Sequence, residues 1–332
     1  MMKNNLTARE MADFLLAHDD FLVLTHRRPD GDTIGSAAAL TLGLRSIGKC
    51  AYVLSNPDLT PRYVPFLEYL YAPDGWEPGT VVAVDIAALS LLPENARVWG
   101  DKIDAAIDHH GTNEYYASHT AVRTDCAANG ELIYEILGLL NAAITPEMAD
   151  ALYIALSTDT GAFCYSNTSA QTHRITAELI DRGCRMAYLN KLLFETKSRA
   201  TANLEGAVYS SMRYYAGGAV AMACVDNEMV AKAGAREDDM EAVSAWARRV
   251  AGVTIGLTLT EIARGIKVSV RTEAPVDASR IAAAHGGGGH PRAAGCTIPG
   301  TMEEAAQALL RTVMTLEEEL AWTKEEKELI CR

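Results

Sequence analysis

Four short stretches of the chain carry side chains able to hold a metal ion. His26-Arg27-Arg28-Pro29-Asp30-Gly31-Asp32 places one imidazole and two carboxylates in a loop that proline and glycine make tight. Asp85 follows the apolar run 81–84, Asp108-His109-His110 follows the apolar run 103–107, and Asp159 lies in Ser157-Thr158-Asp159-Thr160-Gly161. A single aspartate behind a strand is most often a helix cap or turn former. Four such clusters, each behind an apolar element, are not explained that way. Mixed imidazole and carboxylate donors suit a borderline ion such as Mn(II) better than the oxygen-seeking Mg(II) or Ca(II). The donors exceed the needs of one ion. Two ions about 3.5–4 Å apart would use them all and would generate a hydroxide nucleophile beside a phosphoryl group. Mg(II), Co(II) and Fe(II) are substitutes for Mn(II) at such a site.

Bringing these donors together falls to the elements behind them. Thr7-Ala8-Arg9-Glu10 reads as a capping box for a helix running to about residue 17. Residues 21–25 form a buried-strand pattern, followed by a loop and a small-residue helix at 34–47 that Gly48 stops. Further strands are expected at 81–84 and 103–107, and helices near 131–140, 147–156 and 172–181. Strands alternating with helices predict an α/β domain with a parallel sheet, whose ligands gather beyond the carboxyl ends of the strands. A helix at 186–204, polar on one side, reads as a connector. Apolar runs at 219–225, 253–259 and 266–270, with helices near 239–250 and 277–284, predict a smaller α/β domain. Residues 315–328 read as a charged helix with a solvated face. The expected organisation is thus a catalytic domain at 1–185, a helical linker at 186–205 and a substrate-binding domain at 206–332, with the active-site cleft between the domains.

Bulk properties narrow the partners. A chain of 332 residues, 49% hydrophobic and 22% charged, is long enough for two globular domains. No apolar run approaches the roughly 20 residues of a membrane span, and residues 1–10 lack an apolar signal core. A cytoplasmic protein without a membrane partner is expected. Cys50, Cys126, Cys164, Cys184, Cys224, Cys296 and Cys331 are scattered and form no Cys-x-x-Cys pair, which speaks against disulfides and zinc knuckles. The net charge of −13 disfavours a long nucleic acid, whose affinity comes from neutralised phosphates. A short phosphorylated ligand held by metals and a few arginines remains compatible with it.

At these motifs the chain resembles the DHH phosphoesterase superfamily. The resemblance is carried by Asp108-His109-His110, by His-x-x-Pro-Asp-Gly-Asp-x-x-Gly-Ser at 26–36, by Val84-Asp85 and by Asp-Thr-Gly-x-Phe at 159–163. Gly-Gly-Gly-Gly-His-x-x-Ala-Ala-Gly at 286–295 is similar to the DHH-associated C-terminal domain. In size and domain content the chain looks like the stand-alone branch acting on very short oligoribonucleotides, pAp and, in some members, cyclic dinucleotides. The resemblance implies a hydrolase, dependent on two Mn(II) ions, that converts nanoRNA, linear dinucleotides such as pApA, and pAp to mononucleotides. It implies that His26 and Asp30 bind one ion, that Asp32, His109 and Asp159 bind the other, and that Asp85 bridges both. Asp108 would orient a ligand imidazole and His110 would face the substrate phosphate. Gly287, Gly288 and Gly289 would approach the nucleotide by backbone, and Arg271 and His290 would pair with phosphate. A homodimer is compatible with this picture.

Two departures from the family pattern bear on base or chain-length preference. His285 stands where an aromatic residue often precedes the glycine run, and Arg271-Thr272 replaces the usual Arg-Ser. Arg27, Arg28 and Arg292 are open between charge at the cleft and plain surface. His18, His119 and His173 sit in no motif and receive no role. Among alternatives, a cyclic di-AMP phosphodiesterase shares the same motifs. The motif at 286–295 speaks against a pyrophosphatase or polyphosphatase, and the length and acidity speak against a long-polymer exonuclease. The complete donor set speaks against a nucleotide sensor without catalysis.

Overall fold

Strand β1 (Phe21–Leu24) is apolar at every position and buried on both faces, as expected of an interior parallel strand. It pairs in parallel with β2 (Ala51–Val53) on one side and β3 (Thr80–Val84) on the other. Strands β4 (Ala105–Asp108) and β5 (His119–Val122) extend the sheet to the order β2-β1-β3-β4-β5, all parallel. The computed structural model describes residues 5–240 and 243–330, so Cys331 and residues 241–242 of the helix expected at 239–250 lie outside it.

Alternate residues of these strands feed two cores. Phe21, Val23, Val82 and Val84 point into a large core with the helices α1 (Ala8–Ala17), α2 (Gly31–Ser46), α4 (Asn129–Leu139), α5 (Pro146–Asp159) and α6 (Ala170–Asp181). The short helix α3 (Val64–Leu67) joins them. Leu22, Leu24, Val81 and Ala83 face a smaller core closed by Leu92, Ala96 and the 3₁₀ turns around them. Helix α1 has the expected capping box between Thr7 and Glu10. Helix α2 begins at Gly31, earlier than its apolar pattern indicates, because the Asp30 carboxylate accepts from the N–H groups of Asp32 and Thr33 and caps it. Its small residues have a packing reason. A Cβ at Gly35 would lie 2.2 Å from the Ala151 carbonyl oxygen, so α2 and α5 approach too closely for a side chain there.

The chain divides into two compact units between Thr196 and Lys197, inside the segment expected as a linker. That segment is not one helix. Helix α7 (Met186–Asn190) runs into a π-turn (Lys191–Glu195), and α8 (Arg199–Ser211) starts afresh with Ser198 as its N-cap. The second unit is a mixed sheet in the order β10-β11-β9-β8-β7-β6. Its strands are β6 (Arg213–Tyr215), β7 (Val220–Val225), β8 (Ile255–Ile262), β9 (Gly265–Thr272), β10 (Gly288–His290) and β11 (Ala293–Ile298). Only β7 and β8 pair in parallel. One face packs on α11 (Ala278–Ala283) and α12 (Met302–Leu316), with α13 (Lys324–Ile330) closing it. The other face packs on α8, α9 (Asn227–Ala233) and α10 (Val243–Trp246). The helix expected at 315–328 is broken. The backbone leaves helical geometry at Glu317, and Trp322 and Ile330 are buried in the core, so this segment is no plain solvated face.

Candidate metal centre

Each expected donor of the first unit lies at the carboxyl edge of the parallel sheet or at a helix end beside it. His26 follows β1, Asp85 follows β3, and His109 and His110 follow β4. Asp32 is in the first turn of α2, and Asp159 ends α5. The distances link them into one cluster around Asp85. Its Oδ2 lies 3.8 Å from His26 Nε2, and its Oδ1 lies 3.6 Å from His109 Nε2 and 3.5 Å from His110 Nδ1. His26 Nε2 is 3.6 Å from Asp30 Oδ1. His109 Nε2 is 3.7 Å from Asp32 Oδ2 and 3.4 Å from Asp159 Oδ2. Three overlapping donor sets result: His26, Asp30 and Asp85; Asp32, His109 and Asp159; and Asp85, His109 and His110.

Ring orientation prepares both ligand histidines. His26 Nδ1 donates to the Arg27 carbonyl at 2.8 Å and His109 Nδ1 to the Cys126 carbonyl at 3.3 Å, which leaves each Nε2 lone pair facing the carboxylates. Asp85 is the residue that asks for a cation. Its Oδ1 is buried and has no hydrogen-bond partner among the described residues, and its backbone sits in the left-handed region at φ 59°. Burial first, and then the neighbouring carboxylates, push the acids of Asp85 and Asp32 well above the usual range. Burial and Asp30 push Asp159 up to about 7. Buried like charges at this spacing cannot all ionise unaided, and a divalent cation removes the conflict. The donor chemistry, the open lone pairs and the orphaned Asp85 oxygen therefore fit metal ions.

Asp108 is spoken for. Its Oδ1 accepts from the backbone N–H groups of His109 and His110 and from His110 Nδ1, and its Oδ2 accepts from Asn113 Nδ2. Although burial opposes ionisation, the bonds from His110 and Asn113 hold its carboxyl below the usual range. The ring it holds belongs to His110, while the ligand imidazole of His109 is held by Cys126. In turn the Asp108 bond, working against burial, raises the imidazole of His110. With Nδ1 engaged, the half-exposed His110 presents Nε2 outward.

Sequence reading missed the residues that support these ligands. Asn56 donates from Nδ2 to Thr25 Oγ1 and to the His26 carbonyl, both at 2.9 Å, and so clamps the first loop. Ser36 Oγ and the N–H groups of Asn129 and Gly130 at the start of α4 all donate to the Asp32 carboxylate. Ser36 closes the motif at 26–36 but carries no sign of this role there, and Asn56, Asn129 and Gly130 lie in no motif, so only burial and contact mark them. In the second unit, Ala293 pairs with His290 on one side and Arg271 on the other, placing those two residues two strands apart, about 9.5 Å. Arg271 donates to Ser244 Oγ and to the Val270 carbonyl, and His290 is exposed. The glycine run is a β-hairpin arm rather than a plain loop. A Cβ at Gly287 would strike the Gly295 carbonyl at 2.2 Å and one at Gly289 the Ala293 carbonyl at 2.6 Å, whereas Gly288 faces open space. His285 is turned toward α12, with Nε2 2.9 Å from Thr312 Oγ1.

This chain matches the model of the DHH family N-terminal domain over residues 20–156 and that of the DHHA1 domain over residues 213–318. It is also 34% identical, over 90% of its length and 89% of the other's, to a Thermus thermophilus protein named bifunctional oligoribonuclease and PAP phosphatase NrnA. The chain belongs to the DHH phosphoesterase family. A Bacillus subtilis protein of the same name is 26% identical over 87% of this DHH protein and 92% of its own length. Among solved structures, an exopolyphosphatase-related protein from Bacteroides fragilis shares the fold over 98% of this chain and 97% of that one, with a TM-score of 0.81 at 24% identity. Thermus thermophilus RecJ in complex with Mn²⁺ shares it more loosely, with a TM-score of 0.54 at 14% identity over 94% of this DHH protein and 55% of RecJ. As a DHH phosphoesterase the chain is a hydrolase, and among its described residues no helix is long and apolar enough to cross a membrane.

Proposed function

We propose that this protein hydrolyses short oligoribonucleotides, linear dinucleotides such as pApA, and the 3′-phosphate of pAp, using two Mn(II) ions. The observation that carries the metal reading is the buried, unpartnered oxygen of Asp85, a residue common to two of the three donor sets. The substrate reading rests on the names of the relatives that match nearly end to end. His26 and Asp30 would hold one ion, Asp32, His109 and Asp159 the other, with Asp85 between them. Bound there, the ions would acidify a water and neutralise charge on phosphoryl oxygens. The chain's own residues do the rest. The backbone donors from the start of α4 keep Asp32 aimed at its ion, and the Nδ1–H bonds keep both ligand rings from turning. His110, held by Asp108, whose bond raises its imidazole, would turn Nε2 to a phosphoryl oxygen and so orient the scissile group. In the second unit, Arg271, His290 and the open backbone at Gly288 would receive the adjoining phosphate. Six free cysteines among the described residues fit work in the reducing cytoplasm.

The deciding experiment is hydrolysis of pAp, pApA, cyclic di-AMP, a long RNA and pyrophosphate with and without Mn(II). Rapid, Mn(II)-dependent turnover of pAp and pApA is expected. Preference for pyrophosphate or for the long RNA would overturn the substrate assignment.

A further inference from the structure

Among the described residues, Tyr165 is the one exposed large apolar side chain that stands on a loop carrying a candidate metal ligand. The loop leaves α5 at Asp159. Tyr165 is 55% exposed as a residue, yet its ring is held in place. Gly161 adopts φ 56°, and a Cβ on it would lie 2.4 Å from Tyr165 Cζ and 2.6 Å from both Cε atoms. The distal end of the ring therefore rests on the bare backbone of Gly161, two residues from Asp159 and at most about 7 Å along the chain. Tyr165 N–H donates to the Thr160 carbonyl at 2.9 Å, and its carbonyl accepts from Thr168 N–H at 3.1 Å. Asn167 Nδ2 ties the same loop to the carbonyls of Asp159 and Ala127. A ring anchored at one side and open to solvent at the other, beside a phosphate-processing centre, has the properties of a base-stacking surface.

We propose that Tyr165 is a stacking platform for a nucleobase of the substrate and gives the enzyme its preference for base-bearing phosphoesters. The proposal rests on the nucleotide-hydrolase reading above. Every base has a π-face, so such a platform accepts different bases and rejects phosphate chains that have none. It binds and does no chemistry, so its loss falls on KM.

The test uses the full-length, Mn(II)-loaded enzyme with Tyr165→Ala and Tyr165→Phe, on pApA and on the same dinucleotide lacking both bases. Tyr165→Ala is expected to raise KM for pApA about 5- to 100-fold with little change in kcat. Tyr165→Phe keeps KM near the wild-type value, and on the abasic dinucleotide all three proteins behave alike. Mn(II) affinity, read by electron paramagnetic resonance, stays the same in all three. Equal losses on both substrates, or weakened Mn(II) binding in Tyr165→Ala, would mean that the ring only props the Asp159 loop and would overturn the proposal. An unchanged KM for pApA would overturn it too, while leaving the enzyme's activity assignment standing. A wild-type enzyme that cleaves pyrophosphate and neither pApA nor pAp would instead remove the reading on which the proposal rests.

Discussion

Asp159 shows how one side chain couples metal, proton and fold. Its folded pKa of about 7 lies above the ordinary aspartate value of 3.8, so without metal the folded state holds a proton that the unfolded chain releases. By linkage this group's contribution to stability is complete below about pH 4 and is lost as pH rises through 7. A cation competes with that proton. Metal binding should therefore strengthen between pH 5 and pH 8 and release protons, as calorimetry in buffers of different ionisation enthalpy would measure. Asp159→Asn should flatten the metal-free Tm profile across that range. Asn56 belongs to the same scale. Removing its two hydrogen bonds in Asn56→Ala leaves the loop of His26 unclamped, and a loss of roughly 10- to 100-fold in affinity is expected for the ion proposed at His26. A Mn(II) titration in which both ions weaken equally, or neither does, would contradict a role confined to His26.

At the scale of elements, the glycine run of the second unit separates structural from functional requirements. Gly287 and Gly289 are bare because β11 lies against them, while among the described residues no atom lies within 4 Å of a Cβ placed on Gly288. Gly287→Ala should therefore disturb the hairpin and lower Tm, by about 1–3 kcal/mol of stability. Gly288→Ala should fold normally and, on the proposed role of this backbone in receiving a phosphate, raise KM. Circular dichroism melts and steady-state kinetics on the two variants distinguish these outcomes. In the first unit, the same logic applies to α2 and α5, which meet at Gly35 so closely that Asp32 and Asp159 come within reach of one imidazole. The helix–helix distance is itself part of the candidate metal centre.

For the whole molecule, the decisive property is charge. A protein with a net charge of −13 repels a polyanion except where cations are built in. Binding of a long RNA should be weak at physiological salt and should show a shallow slope of log affinity against log salt, because few phosphates are neutralised by lysine or arginine. A steep slope in a filter-binding titration would reveal an extended basic track that the composition does not provide.

How much of this was legible in advance varied with the kind of signal. Interior strands such as β1, β3 and β4 announce themselves because burial on both faces demands continuous apolar runs. The three-residue β2 is too short to stand out and β5 is part polar, so neither was foreseen, nor was the hairpin of β10 and β11, whose close pairing needs missing side chains. Charged segments misled most. Residues 186–204 and 315–328 look helical by composition, yet Ser198 restarts one helix and burial of Trp322 bends the other. The candidate metal donors were picked out by type and spacing, since few side chains bind divalent ions, and the structure brings their side chains together at the sheet edge. What tertiary structure alone decided was the pairing within that set. Asp108 holds His110 and not His109, Asn56 grips the His26 loop, and Tyr165 leans on Gly161. The first and third of these contacts span only a few residues and depend on the turn geometry at the ends of β4 and α5, while the second joins segments 30 residues apart; residue type and spacing specify neither.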